Sequence, residues 1–202
     1  MEIKGRTQEQ RSAATQAALI AAARRLWAER GYADVGTPEI AAAAGVTRGA
    51  MYHQFADKAA LFRAVVEAVE RDVMGRFVAA VDGSAPPTPA AALRTAVAQW
   101  LVICTDPEVR QLLLLDAPSV LGWKDYRDLT QAYSLGLAEA LLRETMDAGQ
   151  LPVQPARALA HVLMGALDEA GMVIATADDG EQARRDVEEV LGRLLDGLLT
   201  DR

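Results

Sequence analysis

Residues 37–58 read TPEIAAAAGVTRGAMYHQFADK, and the reading of this stretch decides the fold. Thr37 followed by Pro38 predicts an N-cap and then a proline at the first helical position, where the missing N–H costs nothing. Glu39 puts a negative charge in the first turn, favourable against the helix dipole. Ile40, Ala43 and Ala44 give this short helix a small, closely packing inner side. Gly45 ends it, because glycine takes the left-handed conformation beyond a helix at no steric cost. Val46 stands before a second cap, Thr47, and Met51 stands at the fourth position after that cap. That is the spacing of a hydrophobic staple, which sets the angle at which the second helix leaves the turn.

Placed on a wheel at about 100° per residue, residues 47–55 divide into two faces. Thr47, Met51 and Gln54 fall on one side, flanked by Ala50 and Phe55. Arg48, Gly49, Tyr52 and His53 share an opposite arc of about 140°. Such an arc is poor core material and suits a polyanion. Arginine forks onto guanine or phosphate, tyrosine and histidine donate to phosphate oxygens, and glycine admits close backbone approach. Two helices joined by a tight glycine turn, the second with a polar outer face, make a helix-turn-helix.

Working outward, a preceding helix is expected from Ser12 to Arg30, with Leu19, Ala22, Ala23, Leu26 and Trp27 as its apolar stripe. Gly31 ends it, and Tyr32 falls where an apolar residue closes back on Trp27. Arg24 and Arg25 read as a solvated face, with Arg25 pairing Glu29, ahead of the alternative that they contact phosphates. Asp57 caps a fourth helix, and Lys58 opens it at the positive end of the helix dipole, where an approaching anion is favourable. With these neighbours the stretch resembles the DNA-binding domain of the TetR family of bacterial transcription regulators. The resemblance covers roughly residues 15–65 and rests on Ala22, Ala23, Leu26, Gly31, Tyr32, Thr37, Ile40, Ala41, Ala44, Gly45, Val46, Arg48, Gly49, Tyr52, Phe55, Lys58 and Leu61. Thr37, Thr47, Tyr52 and Lys58 look like DNA-backbone contacts, that of Lys58 being one the resemblance also implies. Arg48, Ala50 and His53 are better placed for base edges, with Gly49 between them.

The chain has 202 residues, 51% of them hydrophobic, which suffices for a core. Alanine and leucine dominate while aromatic residues stand at 5%, favouring an all-α fold. Net charge is −7, unevenly spread. Residues 1–60 hold eight Lys/Arg against six Asp/Glu, a net +2, and the remainder carries −9. The local field decides phosphate binding, so the acidic total does not exclude DNA. A single cysteine, Cys104, forms no internal disulfide and suits a reducing cytoplasm. No uninterrupted apolar run reaches bilayer length, so no membrane partner is expected. Two histidines and one cysteine offer no zinc spacing, and there is no phosphate loop or nucleophile elbow. Metal, cofactor and catalytic residues are therefore expected to be absent.

The expected organisation is a polar arm over 1–11, a three-helix DNA-binding domain over 12–60, a connecting helix over 61–82, and a larger ligand-binding and dimerisation domain over 83–202. About nine helices are expected in all. Lys4, Arg6 and Arg11 give the arm a basic character. The break falls at Asp82–Pro89, DGSAPPTP. Beyond it, helices are expected over Ala90–Thr105, Pro107–Asp116 (ended at Ala117-Pro118), Lys124–Ala148, Pro155–Ala177 and Glu181–Leu199. The last two carry long apolar stripes. The resemblance implies that they meet their copies around a two-fold axis, so that two recognition helices read a palindromic operator. It also implies a small-molecule pocket. Candidate lining residues are Trp100, Cys104, Tyr133, His161, Met164, Asp168 and Met172, with Trp123, Tyr126, Arg110 and Asp116 nearby. Their apolar balance suits a hydrophobic or aromatic effector. The function expected is a sequence-specific regulator, a repressor released by its effector. A ligand-responsive activator, a helical enzyme and an interaction module are the alternatives.

Overall fold

The computed structural model describes residues 8–200. These fold into α1 (Gln8–Arg30), α2 (Thr37–Ala43), α3 (Arg48–Gln54), α4 (Lys58–Gly83), α5 (Pro89–Ile103), α6 (Pro107–Val109), a π-helical stretch (Arg110–Asp116), α7 (Ala117–Leu121), α8 (Trp123–Asp147), α9 (Ala156–Thr176) and α10 (Gly180–Leu198). Because α6, the π stretch and α7 run on without a gap, the described residues make nine helical rods and no strand. The all-α expectation holds.

α1 begins at Gln8, four residues ahead of the expected Ser12. Arg11 therefore sits on a helix, while Lys4 and Arg6 lie outside the described residues. The buried residues of α1 are Leu19, Ala22, Ala23, Leu26 and Trp27, the stripe its spacing predicts. Gly31 takes φ +81° and Gly45 φ +70°, so both helix ends turn through the conformation that only glycine adopts freely. Thr47 caps α3 by accepting from the Ala50 N–H at 3.1 Å, and Asp57 caps α4 by accepting from Ala60 at 2.7 Å.

Thr37 does not cap. Gly36 holds that position without a side-chain bond, and Thr37 is already helical and buried. Its hydroxyl is within 3.2 Å of the Tyr52 phenol instead. Local sequence favours threonine over glycine as a cap, but the tertiary partner won.

The expected helix end at Ala117-Pro118 is also corrected. Proline at position 118 removes the N–H that the Leu114 carbonyl would accept in an α-helix. The chain answers by widening rather than breaking: the Ala117 N–H reaches back to Leu112 O, and the rod continues to Leu121.

α1, α2 and α3 close over one another, with Trp27, Ile40 and Met51 fully buried. Arg30 pairs with Glu39 at 2.6 Å, and Ser12 donates to Gln54 at 3.1 Å, tying α2 and α3 to α1. α4 leaves this unit and packs on α5 and α8, so one continuous helix belongs to both halves. α9 lies against α5, α8, α10 and the π stretch. With a mean hydropathy of 1.5 over its apolar window, α9 is by length and composition apolar enough to cross a bilayer, but it is not an uninterrupted apolar run. Asp168 and Glu169 sit within it, and one third of its apolar window is already buried in a single chain.

Trp27, Tyr32 and Phe62 form an aromatic cluster with ring centroids 4.9–5.4 Å apart. Trp27→Ala should cost about 3–5 kcal/mol of unfolding free energy, as expected for a fully buried aromatic. Urea denaturation of the two proteins side by side measures it.

Candidate nucleic-acid interface and internal cavity

The α3 face is built by anchoring its back. Met51 is wholly buried and Phe55 nearly so, while Arg48, Gly49, Tyr52 and His53 point outward. Thr47 is exposed beside them and Ala50 is half-buried. The Arg48 guanidinium carbon lies 5.5 Å from the centre of the Tyr52 ring. Tyr52 is thus held from two sides, by Thr37 on α2 and Arg48 on α3. The Thr37 hydroxyl first, and Arg48 second, lower the phenol pKa below its ordinary value.

Lys58 is folded back. Its ammonium donates to the Tyr32 carbonyl at 2.5 Å and stands 3.9 Å from the centre of the Tyr32 ring. Desolvation lowers its pKa. One of the three ammonium donors is used there, which leaves two for an anion.

The same Tyr32 is gripped from the other half. Its N–H donates to Asp116 Oδ2 at 2.8 Å, and Gln111 Nε2 donates to that oxygen at 3.0 Å. Arg24 is not a solvated residue either. It forks onto both carboxylate oxygens of Glu108 at 2.8 Å and also pairs with Asp72. Such a two-point fork is the strongest arginine–carboxylate geometry, and it raises the guanidinium pKa. Arg24 and Tyr32 thus join α1 to α4 and to the α6–π rod.

A cavity of about 400 Å³ lies between α4, α5, α8, α9 and α10. Of the expected lining residues, Trp100, Met164 and Asp168 border it, as does Tyr126. Tyr133, His161 and Met172 do not, and Cys104 borders a second, shallower hollow with Arg110. Burial pushes the Cys104 thiol up to about 12, and its sulfur would meet a Cβ at Gly171 at 3.2 Å. Arg110 donates to the Ala175 carbonyl at 2.6 Å. Asp116 serves Tyr32 rather than a pocket.

Sequence reasoning missed the α4 wall, above all Glu70. Only 4% of it is exposed, and burial first, then the Asp168 charge, push its carboxyl up to about 7. Asp168 is raised too, by burial, with Arg127 opposing. The signal was present in sequence. Glu70 interrupts the stripe Phe62, Val66, Val69, Val73 at helical spacing, where a carboxylate is out of place in a simple core. Among the described residues, no group of three or more His, Cys, Asp or Glu is placed to hold a metal.

A helix-turn-helix with a polar outer face, joined by a shared helix to a hollow helical domain, defines a DNA-binding transcription regulator. Family models agree over most of the chain. Residues 19–65 match the bacterial regulatory proteins of the tetR family, and residues 90–198 match the tetracyclin repressor-like C-terminal domain. A TetR-family transcriptional regulator from Pectobacterium atrosepticum, ECA1819, is 32% identical with a TM-score of 0.86, covering 97% of this chain and 99% of that one. The HTH-type transcriptional regulator AcrR of Shigella flexneri is 33% identical over 109 residues, 54% of this chain and 50% of AcrR, so that match spans half of AcrR. The transcriptional regulator FadR from Bacillus subtilis, solved with stearoyl-CoA, shares the fold at 20% identity and a TM-score of 0.67, covering 87% of this chain and 96% of that one. The chain belongs to the TetR family, whose members are transcription factors rather than enzymes, bind operator DNA and form dimers.

Glu70 makes stability depend on pH. Its folded pKa, about 7, lies above the unfolded carboxylate value of about 4.3, so the native state binds the extra proton. The stabilisation is complete below the unfolded value and is lost as pH rises through 7. It amounts to something on the order of 3 kcal/mol. Glu70→Gln should remove this slope, so that the variant gains stability on the parent between pH 5 and pH 8 in matched thermal melts.

Proposed function

We propose that this chain is a homodimeric repressor that binds a palindromic operator through α3 and is released by a small molecule occupying the α4–α10 cavity. The observation that carries the proposal is the shared grip on Tyr32. Lys58 of the DNA-binding half holds its carbonyl, and Asp116 of the cavity-bearing half holds its N–H. The Asp116 stretch also lines the cavity, through Leu113. A ligand that displaces Leu113 shifts Asp116, and with it the helix that carries Lys58. Ligand and operator are then coupled because each favours a different setting of one joint. FadR, a protein of the same fold solved with stearoyl-CoA, supports the reading that this architecture takes a small molecule.

Arg48 and His53 take base edges, Ala50 meets a thymine methyl, and Thr47, Tyr52 and Lys58 take backbone phosphates, with Gly49 admitting close approach. Thr37 acts through Tyr52, whose phenol it braces. Two copies join through α9 and α10. Val162 and Val173 stand eleven residues apart on one face of α9, and Val190 and Leu194 one turn apart on α10, all four exposed in the single chain. Covering them gives a four-helix interface and sets the recognition helices about 34–36 Å apart. The working place is the bacterial cytoplasm, as the relatives' role in bacterial transcription suggests.

Selection of the purified protein against random duplex DNA should return a two-fold-symmetric site with a steep salt dependence. An unenriched pool would overturn the regulator reading. On that site, Arg48→Ala should lose about 1–3 kcal/mol and relax preference at one base pair per half-site. Lys58→Ala should weaken all sequences alike and lower the logarithmic salt slope by about 1 per recognition helix. Val190→Glu should yield monomers in sedimentation while keeping helix content. A dimer that survives this charge would place the interface elsewhere.

A further inference from the structure

Charge inside the cavity goes beyond what its apolar walls require. Four carboxylates border it, Glu70, Asp82, Glu144 and Asp168, with no lysine, arginine or histidine among the lining residues. Asp82 and Glu144 are exposed at its mouth, and Glu70 and Asp168 lie within. Low-dielectric walls focus the field of such a set, so the entrance draws cations and repels anions.

Glu70 is the deepest of the four. No described hydrogen bond or ion pair satisfies its carboxylate, and its charged neighbour is Asp168, of the same sign. Asp168 has a distant counter-charge in Arg127, whose guanidinium lies 5.8 Å from the Trp123 ring, outside the lining. The ionisable groups around Glu70 are otherwise the Tyr126 phenol and, beyond it, the Cys104 thiol, both held neutral by burial. No fully buried side-chain oxygen among the described residues lacks a hydrogen-bond partner, so the Glu70 carboxylate opens onto the cavity, where it stays costly unless something arrives to pair with it. Trp100, Tyr126 and Phe77 supply aromatic walls of the kind that receive a cationic head. The Trp100 ring is fixed by its own N–H, which donates to the Leu167 carbonyl at 3.3 Å.

We propose that the ligand of this cavity is a hydrophobic cation, with an apolar body against α5, α8 and α10 and a positively charged nitrogen centre paired with Glu70 and Asp168. The proposal rests on the cavity being the effector site and adds the charge of the effector. A neutral molecule of the same shape leaves Glu70 protonated and gains nothing from Asp168. An anion meets like charge at the mouth and at the base. Binding of the cation expels the Glu70 proton, so affinity rises with pH through the range in which that carboxyl titrates, about 7.

The test uses two probes of one shape, 4-phenylbutyl-trimethylammonium and the uncharged hydrocarbon in which carbon replaces nitrogen. Calorimetry on the full-length protein should give the ammonium compound at least tenfold higher affinity at pH 8. Its affinity should fall several-fold at pH 6, with proton release in two buffers of different ionisation heat. Glu70→Gln and, separately, Asp168→Asn should each reduce the ammonium compound's advantage over the hydrocarbon by several-fold. Thermal melts of both variants confirm the fold. Equal affinity for the two probes, failure of both to bind at millimolar concentration, or an ammonium affinity untouched in both variants overturns the proposal. Operator release is scored alongside with the same compounds. Release by the hydrocarbon alone refutes the charge assignment and keeps the repressor reading. Charge-selective binding without release does the reverse.

Discussion

Tyr32 is the residue on which the two halves of the molecule depend. Its ring packs on Trp27 and Phe62, its carbonyl accepts from Lys58, and its N–H is held by Asp116. The corner that presents it exists because Gly31 turns at φ +81°. A Cβ there would approach Gln111 Nε2 to 3.1 Å, so the turn is constrained twice, by conformation and by the neighbouring rod. Backbone groups at a helix end need partners, and here these partners come from two elements, α4 and the rod that reaches the cavity. Arg24 repeats the arrangement one face away, with a fork onto Glu108 and a second contact to Asp72.

How far the sequence reveals such features follows the range of the interaction. Thr47, Asp57, Gly31 and Gly45 act within three or four residues, and each is where local rules place it. The Trp27–Tyr32 closure is equally local. Thr37 reads locally as a cap, but its partner, Tyr52, sits fifteen residues on. The partners of Arg24 and Tyr32 lie eighty-four residues away, and no spacing rule reaches them. The cavity divides the same way. Trp100, Met164 and Asp168 stand out as polar or bulky residues on apolar helices, while His161 and Met172 fit that description and face elsewhere. Glu70 lies on α4, which reads as a connector, although its carboxylate breaks an otherwise apolar stripe.

The acidic balance of the chain also takes on local meaning. The excess of negative charge lies beyond residue 60, and part of it is gathered around the cavity rather than spread over the surface. The DNA-binding half keeps its slight positive excess. One chain thus carries charge of opposite sign in its two halves, with α4 spanning both.

The π-helical stretch is a matter of register. One extra residue in the turn lets Leu113 face the hollow while Asp116 faces Tyr32, and it absorbs Pro118 without a break. Deleting a single residue between 110 and 116 would restore ordinary helical pitch and rotate one end of the rod against the other by about 100°. Leu113 and Asp116 would no longer both meet their partners. The segment is therefore more sensitive to a change of length than to exchange of side chains, because an insertion or deletion there puts the contacts of one end out of register with those of the other.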